Sequence, residues 1–109
     1  MTHLAERSCT PVDEHTPRLD GDQAAELLND LAEGWIIVDD HRLERSFSFP
    51  NFVDALAFVN RIGEEAETLG HHPDIFLAWG KVRVMIWTHV VNGLTDNDFI
   101  LAAKVETHY

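Results

Sequence analysis

Two adjacent histidines, His71 and His72, stand directly before Pro73; a third, His89, follows Thr88; and two carboxylates, Glu67 and Asp98, lie within a few positions of them. An imidazole with its ordinary pKa of about 6.5 gives and takes protons near neutrality. The chemistry open to this set is therefore general acid–base catalysis, in which one group donates a proton to a leaving oxygen while another removes one. Each residue also has an ordinary explanation. Pro73 disfavours helical backbone at His72, which puts the pair in a turn, where polar side chains are common without any function. His89 could close a strand as an interfacial side chain, and Asp98 sits where it would cap a helix beginning after Thr95. Glu67 falls late in a helical stretch, where a solvated carboxylate is the default. Three histidines and a carboxylate also suggest zinc, but adjacent imidazoles rarely turn toward one ion and the sequence holds no H-x-x-x-H pair, so no metal is expected. Nucleophilic catalysis has less support, because the single cysteine, Cys9, is far from the histidines in sequence and no serine sits in a G-x-S-x-G setting.

The elements that must position these groups follow from hydrophobic spacing. Ala24, Leu27, Leu28 and Leu31 recur at helical intervals, with Asp20 or Asp22 as N-cap and Gly34 as the stop, which predicts a first helix of about three turns. "WIIVDDHRLERSFSF" flanks the turn-prone Asp39, Asp40 and His41 with β-formers and predicts a hairpin. After Pro50, the residues Phe52, Ala55, Leu56, Val59, Ile62, Gly63 and Ala66 mark a second helix. A second hairpin joins Ile75–Trp79 to Val82–His89 through Gly80 and Lys81, where glycine in the first central position suits a type II′ turn. Alternation puts Val82, Val84, Ile86 and Thr88 on a helix-facing side and Arg83, Met85, Trp87 and His89 on the other. Thr95 and Asp98 open a third helix with a capping box. The expected fold is α+β: helix, hairpin, helix, hairpin, helix, with a four-stranded antiparallel sheet and three helices on one face. Its open edges invite pairing with a second subunit.

Composition limits the function classes. A chain of 109 residues supports one domain, and eight Lys and Arg against 19 Asp and Glu leave a formal net charge of −11, which repels nucleic acid and anionic lipid alike. No apolar run approaches the roughly 20 residues of a membrane span, and the N-terminus lacks a secretory apolar core, so a cytoplasmic location is expected. Residues 1–18, with Pro11 and Pro17 and few apolar side chains, are read as a flexible tail, and residues 19–109 as the folded domain.

The segment "ETLGHHPDIF", followed by "WGKV", "TH" and "GLTDND", resembles pterin-4a-carbinolamine dehydratases, with likeness extending through "GW" and "FSFPNFVDALAFVNRI" over about residues 20–107. The resemblance implies the same α+β fold, a dimer in which two sheets join, tetramers in some relatives, and a reaction that removes water from 4a-hydroxytetrahydropterin to give quinonoid dihydropterin, with no metal and no organic cofactor. By the same resemblance His71, His72 and His89 would be catalytic with Glu67 and Asp98 in support. Gly70, Trp87, Thr88 and Val90 would join the three histidines in contacting the substrate. Four positions depart from the common pattern: Gly70, Trp79, Trp87 and Val90. The motifs "WGKVRV", "IWTH" and "DFILAAK" also resemble a branch that includes noncatalytic Rubisco assembly factors, some linked to carboxysomes, with Cys9 in a Cys-Pro-like leader. In that alternative the partners would be Rubisco subunits.

Overall fold

The fold was obtained as a computed structural model that describes residues 3–109. Three α-helices, α1 (Gly21–Leu28), α2 (Phe52–Leu69) and α3 (Asp96–Glu106), alternate with two hairpins, β1 (Ile36–Val38) with β2 (Arg42–Ser48) and β3 (Asp74–Ala78) with β4 (Lys81–Ile86). The strands form one antiparallel sheet in the order β1-β2-β4-β3. The α+β class and the element order match the sequence expectation. Among the described residues no helix is long and apolar enough to cross a membrane.

The central strands carry the core because their alternating side chains meet the helices. Val82, Val84 and Ile86 of β4 and Leu43 and Phe47 of β2 are fully or almost fully buried, and α2 adds Ala55, Phe58 and Ile62. Phe47 and Phe58 pack with ring centroids 4.7 Å apart, and Trp35 meets Phe47 edge-on at 6.0 Å. α3 is buried nearly all round, with every residue from Asn97 to Ala103 buried, as befits a helix enclosed on both sides. Glu106 at its end ties the chain before β1 to the core, accepting hydrogen bonds from Ala32 N–H (3.1 Å) and Trp35 Nε1–H (2.9 Å).

Three local expectations are corrected. α1 stops at Leu28, capped at its start by Asp20 with Gln23, because Asn29 and Asp30 take the chain into two tight 3-10-type bonds, Asp30 N–H to Leu27 O and Leu31 N–H to Leu28 O. Leu31 is buried beyond the helix, and Gly34, at φ 110°, belongs to the approach to β1 and not to a helix stop. The β3–β4 turn is Trp79–Gly80, since Ala78 pairs with Lys81, and neither turn residue is left-handed, which excludes the type II′ form. Glycine is needed there for space: a Cβ on Gly80 would lie 2.8 Å from the Phe49 carbonyl oxygen, whose own residue donates its N–H to Gly80 O. Gly80→Ala is expected to lower unfolding free energy by about 1 to 3 kcal/mol through this overpacking, read as a lower urea midpoint with unchanged slope.

The third correction concerns the N-terminal segment. Residues 3–18 contain one 3-10 turn, Leu4–Glu6, and little other regular structure, yet they lie along α3. Leu4 is 5% exposed and belongs to the core, Lys104 Nζ donates to Ala5 O at 2.7 Å, and Thr10 pairs with Asn97. Core packing therefore runs through the boundary expected near Leu19. Residues 1 and 2 of the expected tail lie outside the described residues.

Candidate active site

Gly70 determines where the two adjacent histidines go. It ends α2 in the left-handed region at φ 68°, donating its N–H to Ala66 O, and His71 N–H reaches the same carbonyl. The space around Gly70 is open, so its backbone angle and not its size is the requirement. This turn sends His71 inward, 8% exposed, and leaves His72 outside, after which Pro73 extends the chain into β3. β3 and β4 are antiparallel with Asp74 opposite Met85, so the residues just before β3 lie beside those just after β4. There Thr88 and Gly93 form a bridge that closes a tight loop containing a 3-10 turn, His89–Val91, and a left-handed Asn92. His89 thus lies beyond the end of the strand, in this loop.

A buried network joins the three segments. Asp98 is fully buried at the first turn of α3 and accepts three hydrogen bonds: from His71 Nε2–H at 2.6 Å, from Thr88 Oγ1–H at 2.8 Å and from Thr95 N–H at 2.8 Å. Because Thr88 spends its hydroxyl proton on Asp98, the Thr95 hydroxyl donates to Thr88 Oγ1, 2.8 Å away. The capping role expected of Asp98 and a histidine-orienting role are therefore met by the same carboxylate. Since Asp98 acts as acceptor throughout, His71 carries a proton on Nε2, which leaves Nδ1 as the ring atom with no hydrogen-bond partner among the described residues.

The other site candidates sit at the surface of this network. His72 Nε2 pairs with Glu67 Oε2, and the side chains are 58% and 79% exposed. The two adjacent imidazoles thus face different carboxylates. His89 is exposed and packs edge-on against Trp87, centroids 4.4 Å apart, and Val90 is 50% exposed. One participant was missed from the sequence. His41, in the β1–β2 turn, packs on Trp87 at 5.1 Å and its Nε2 lies 2.8 Å from Asn92 Oδ1, so it braces the loop that carries His89. Nothing in the spacing of His41 marked it, because its nearness to Trp87 arises from the β2–β4 pairing.

A cleft of about 350 Å³ reaches His71 and Gly70 and is lined on its far side by Cys9–Val12. Cys9 is half-buried and its thiol is pushed up to about 11, chiefly by burial and further by the charge of Asp98. At pH 8 the thiolate fraction falls about a hundredfold below that of a free thiol, and alkylation of Cys9 in the folded protein is expected to slow by a similar factor. Because the folded pKa lies above the ordinary thiol value of 9.0, the stability linked to the neutral thiol is present below pH 9 and lost as pH rises through 11. Alkylation at the free-thiol rate in native protein would contradict this burial.

Fold and site together define a small α+β protein whose histidine–carboxylate network sits where the end of α2, the end of β4 and the start of α3 converge. The family described as Pterin 4 alpha carbinolamine dehydratase matches residues 17–108, and the chain belongs to that family. Its relatives include proteins provisionally named pterin-4-alpha-carbinolamine dehydratase from Alkaliphilus metalliredigens, 46% identical with 97% of this chain and 96% of the relative covered, and from Rubrobacter xylanophilus, 48% identical with 97% and 98% covered. Among solved structures, a transcriptional coactivator/pterin dehydratase from Brucella melitensis superposes with a TM-score of 0.79 at 36% identity, covering 84% of this chain and 98% of that one. A pterin dehydratase-like protein described as a RuBisCO assembly factor of the alpha-carboxysome shares the fold, with a TM-score of 0.60 over 70% of this chain and 89% of that one, at 19% identity.

Proposed function

We propose that the protein dehydrates 4a-hydroxytetrahydropterin to quinonoid dihydropterin, recycling the pterin by histidine acid–base catalysis. The observation that carries this reading is the buried Asp98, which holds His71 in one tautomer beside the exposed His72–Glu67 pair. In the reaction the C4a–O bond breaks with its electron pair going to oxygen, which leaves as water only when protonated. The N5–H proton departs to a base as the new C=N bond forms. Acid and base must therefore act on neighbouring atoms of one ring, and groups of this kind contribute about 10² to 10⁴ in rate each.

His72 takes the central proton-transfer role, with Glu67 holding its ring. His71, oriented by Asp98 and Thr88, and His89, beside Trp87, position the pterin and share the transfer. Gly70, Thr88 and Val90 supply contacts to the bicyclic ring, and the Trp87 indole offers a face for stacking. The working unit is a dimer formed by pairing of open sheet edges. Relatives at 46% and 48% identity that span nearly the whole chain support the dehydratase reading, while the assembly-factor alternative, with Rubisco as partner, rests on a 19% identical structure and is not favoured. The direct test adds purified protein to freshly generated 4a-hydroxytetrahydropterin and follows loss of the substrate. Acceleration above the uncatalysed rate is expected, and a rate equal to background would overturn the proposal.

A further inference from the structure

The reading above gives the N-terminal segment no task, yet that segment is fixed to the same helical turn as the histidine network. Asn97 is 3% exposed, and both ends of its side-chain amide pair with one residue of this N-terminal strap: Thr10 N–H donates to Asn97 Oδ1 at 2.9 Å and Asn97 Nδ2 donates to Thr10 O at 2.7 Å. Bonds to both the N–H and the C=O of one residue hold the two peptide units that flank it. Cys9 Sγ adds a weak contact to Asn97 O at 3.8 Å. The next residue, Asp98, holds His71. One turn of α3 therefore indexes both the N-terminal strap and the imidazole.

We propose that Cys9–Val12 form one wall of the substrate cleft and that Asn97 is a positioning residue that sets the distance of this wall from His71. The inference rests on the dehydratase reading of the site. The cleft, about 350 Å³, lies between Cys9–Val12 and Leu69–His71 with Asn97 contributing to its lining, and it falls within the range of about 300 to 1,000 Å³ typical of small-ligand sites. The cleft meets the proposed site at Gly70 and His71, while His72, Trp87 and His89 lie outside its lining. It therefore takes the part of the substrate that extends past His71: Pro11, Val12 and Leu69 offer it apolar surface, and Pro11 has no N–H to leave unsatisfied. Neutral Cys9 adds no charge to the wall.

Cys9 is the single cysteine of the chain, so its modification reports on the cleft directly and without reference to turnover. With 7,8-dihydropterin at ten times its dissociation constant, modification of Cys9 by methyl methanethiosulfonate is expected to slow about tenfold. In the dehydration assay Val12→Trp, which narrows the cleft from its rim, is expected to raise KM about fivefold or more with kcat kept within about twofold. Asn97→Ala should give the same KM-against-kcat split and should speed Cys9 modification in unliganded protein, a result that mere destabilisation at unchanged KM would not give. Protection of Cys9 together with dehydration supports both the wall and the reaction. Protection without dehydration supports the wall and overturns the reaction. Dehydration with no protection and an unchanged KM in folded Val12→Trp overturns the wall alone, and neither protection nor dehydration overturns both.

Discussion

Asp98→Ala is expected to lower unfolding free energy by about 3 kcal/mol or more, as three buried donors lose their acceptor, and to reduce the proposed dehydration at least about a hundredfold. The size follows from the count of donors left behind. His71 Nε2–H, Thr88 Oγ1–H and Thr95 N–H all lose their acceptor in a site closed to water, and each buried donor without a partner costs about 1 to 3 kcal/mol. Asp98→Asn is the informative companion. It keeps the volume but has one acceptor oxygen, and when its amide faces His71 the imidazole must move its proton from Nε2 to Nδ1. Stability should then fall by only about 1 to 2 kcal/mol while turnover drops nearly as far as in Asp98→Ala, because the wrong tautomer faces the substrate. Urea unfolding and the dehydration assay, run on both variants, check this. An alanine variant within about 0.5 kcal/mol of the parent, the range of neutral surface changes, would show that the network does not hold the three segments together.

The opposite pattern is expected at His72. His72→Ala should lower kcat by about 10² to 10⁴ and leave unfolding free energy within about 0.5 kcal/mol of the parent. Its imidazole and its partner Glu67 are largely solvated, and exposed ion pairs of this kind contribute little to stability. A single-turnover measurement separates chemistry from product release. An unchanged rate in a folded His72→Ala protein would remove this residue from the mechanism and return the proton transfer to His71 or His89.

Sequence legibility followed the range of the interactions involved. α2 and α3 could be read because their apolar spacing, Pro50 near the start of α2 and the Thr95–Asp98 capping box are local signals. The inward side of β4 was equally legible, since alternation alone separates Val84 from Arg83. Asp98 could be read as a cap, and its contact with His71 became visible only through the fold, which folds 27 positions of chain back onto themselves. The N-terminal strap left no trace, because its anchors are one buried leucine and bonds to α3 that span 87 to 99 positions. Prolines in a polar segment read as disorder when the partner surface is unknown. His41 was hidden for the same reason. The turn at Trp79–Gly80 was misplaced because its glycine answers to the Phe49 carbonyl across the sheet and not to a left-handed backbone angle.

The embrace of α3 by the strap also sets an order of events during synthesis. Leu4, Ala5 and Thr10 leave the ribosome first, whereas the helix they grip, Asp96–Glu106, is made some ninety positions later. Until that helix emerges, the inward residues of β2 and β4 have lost their most enclosed neighbour and the strap has nothing to grip. Nascent chains halted before residue 96 should therefore be protease-sensitive, and closure of the core waits on α3 and is driven by contacts of very long sequence separation.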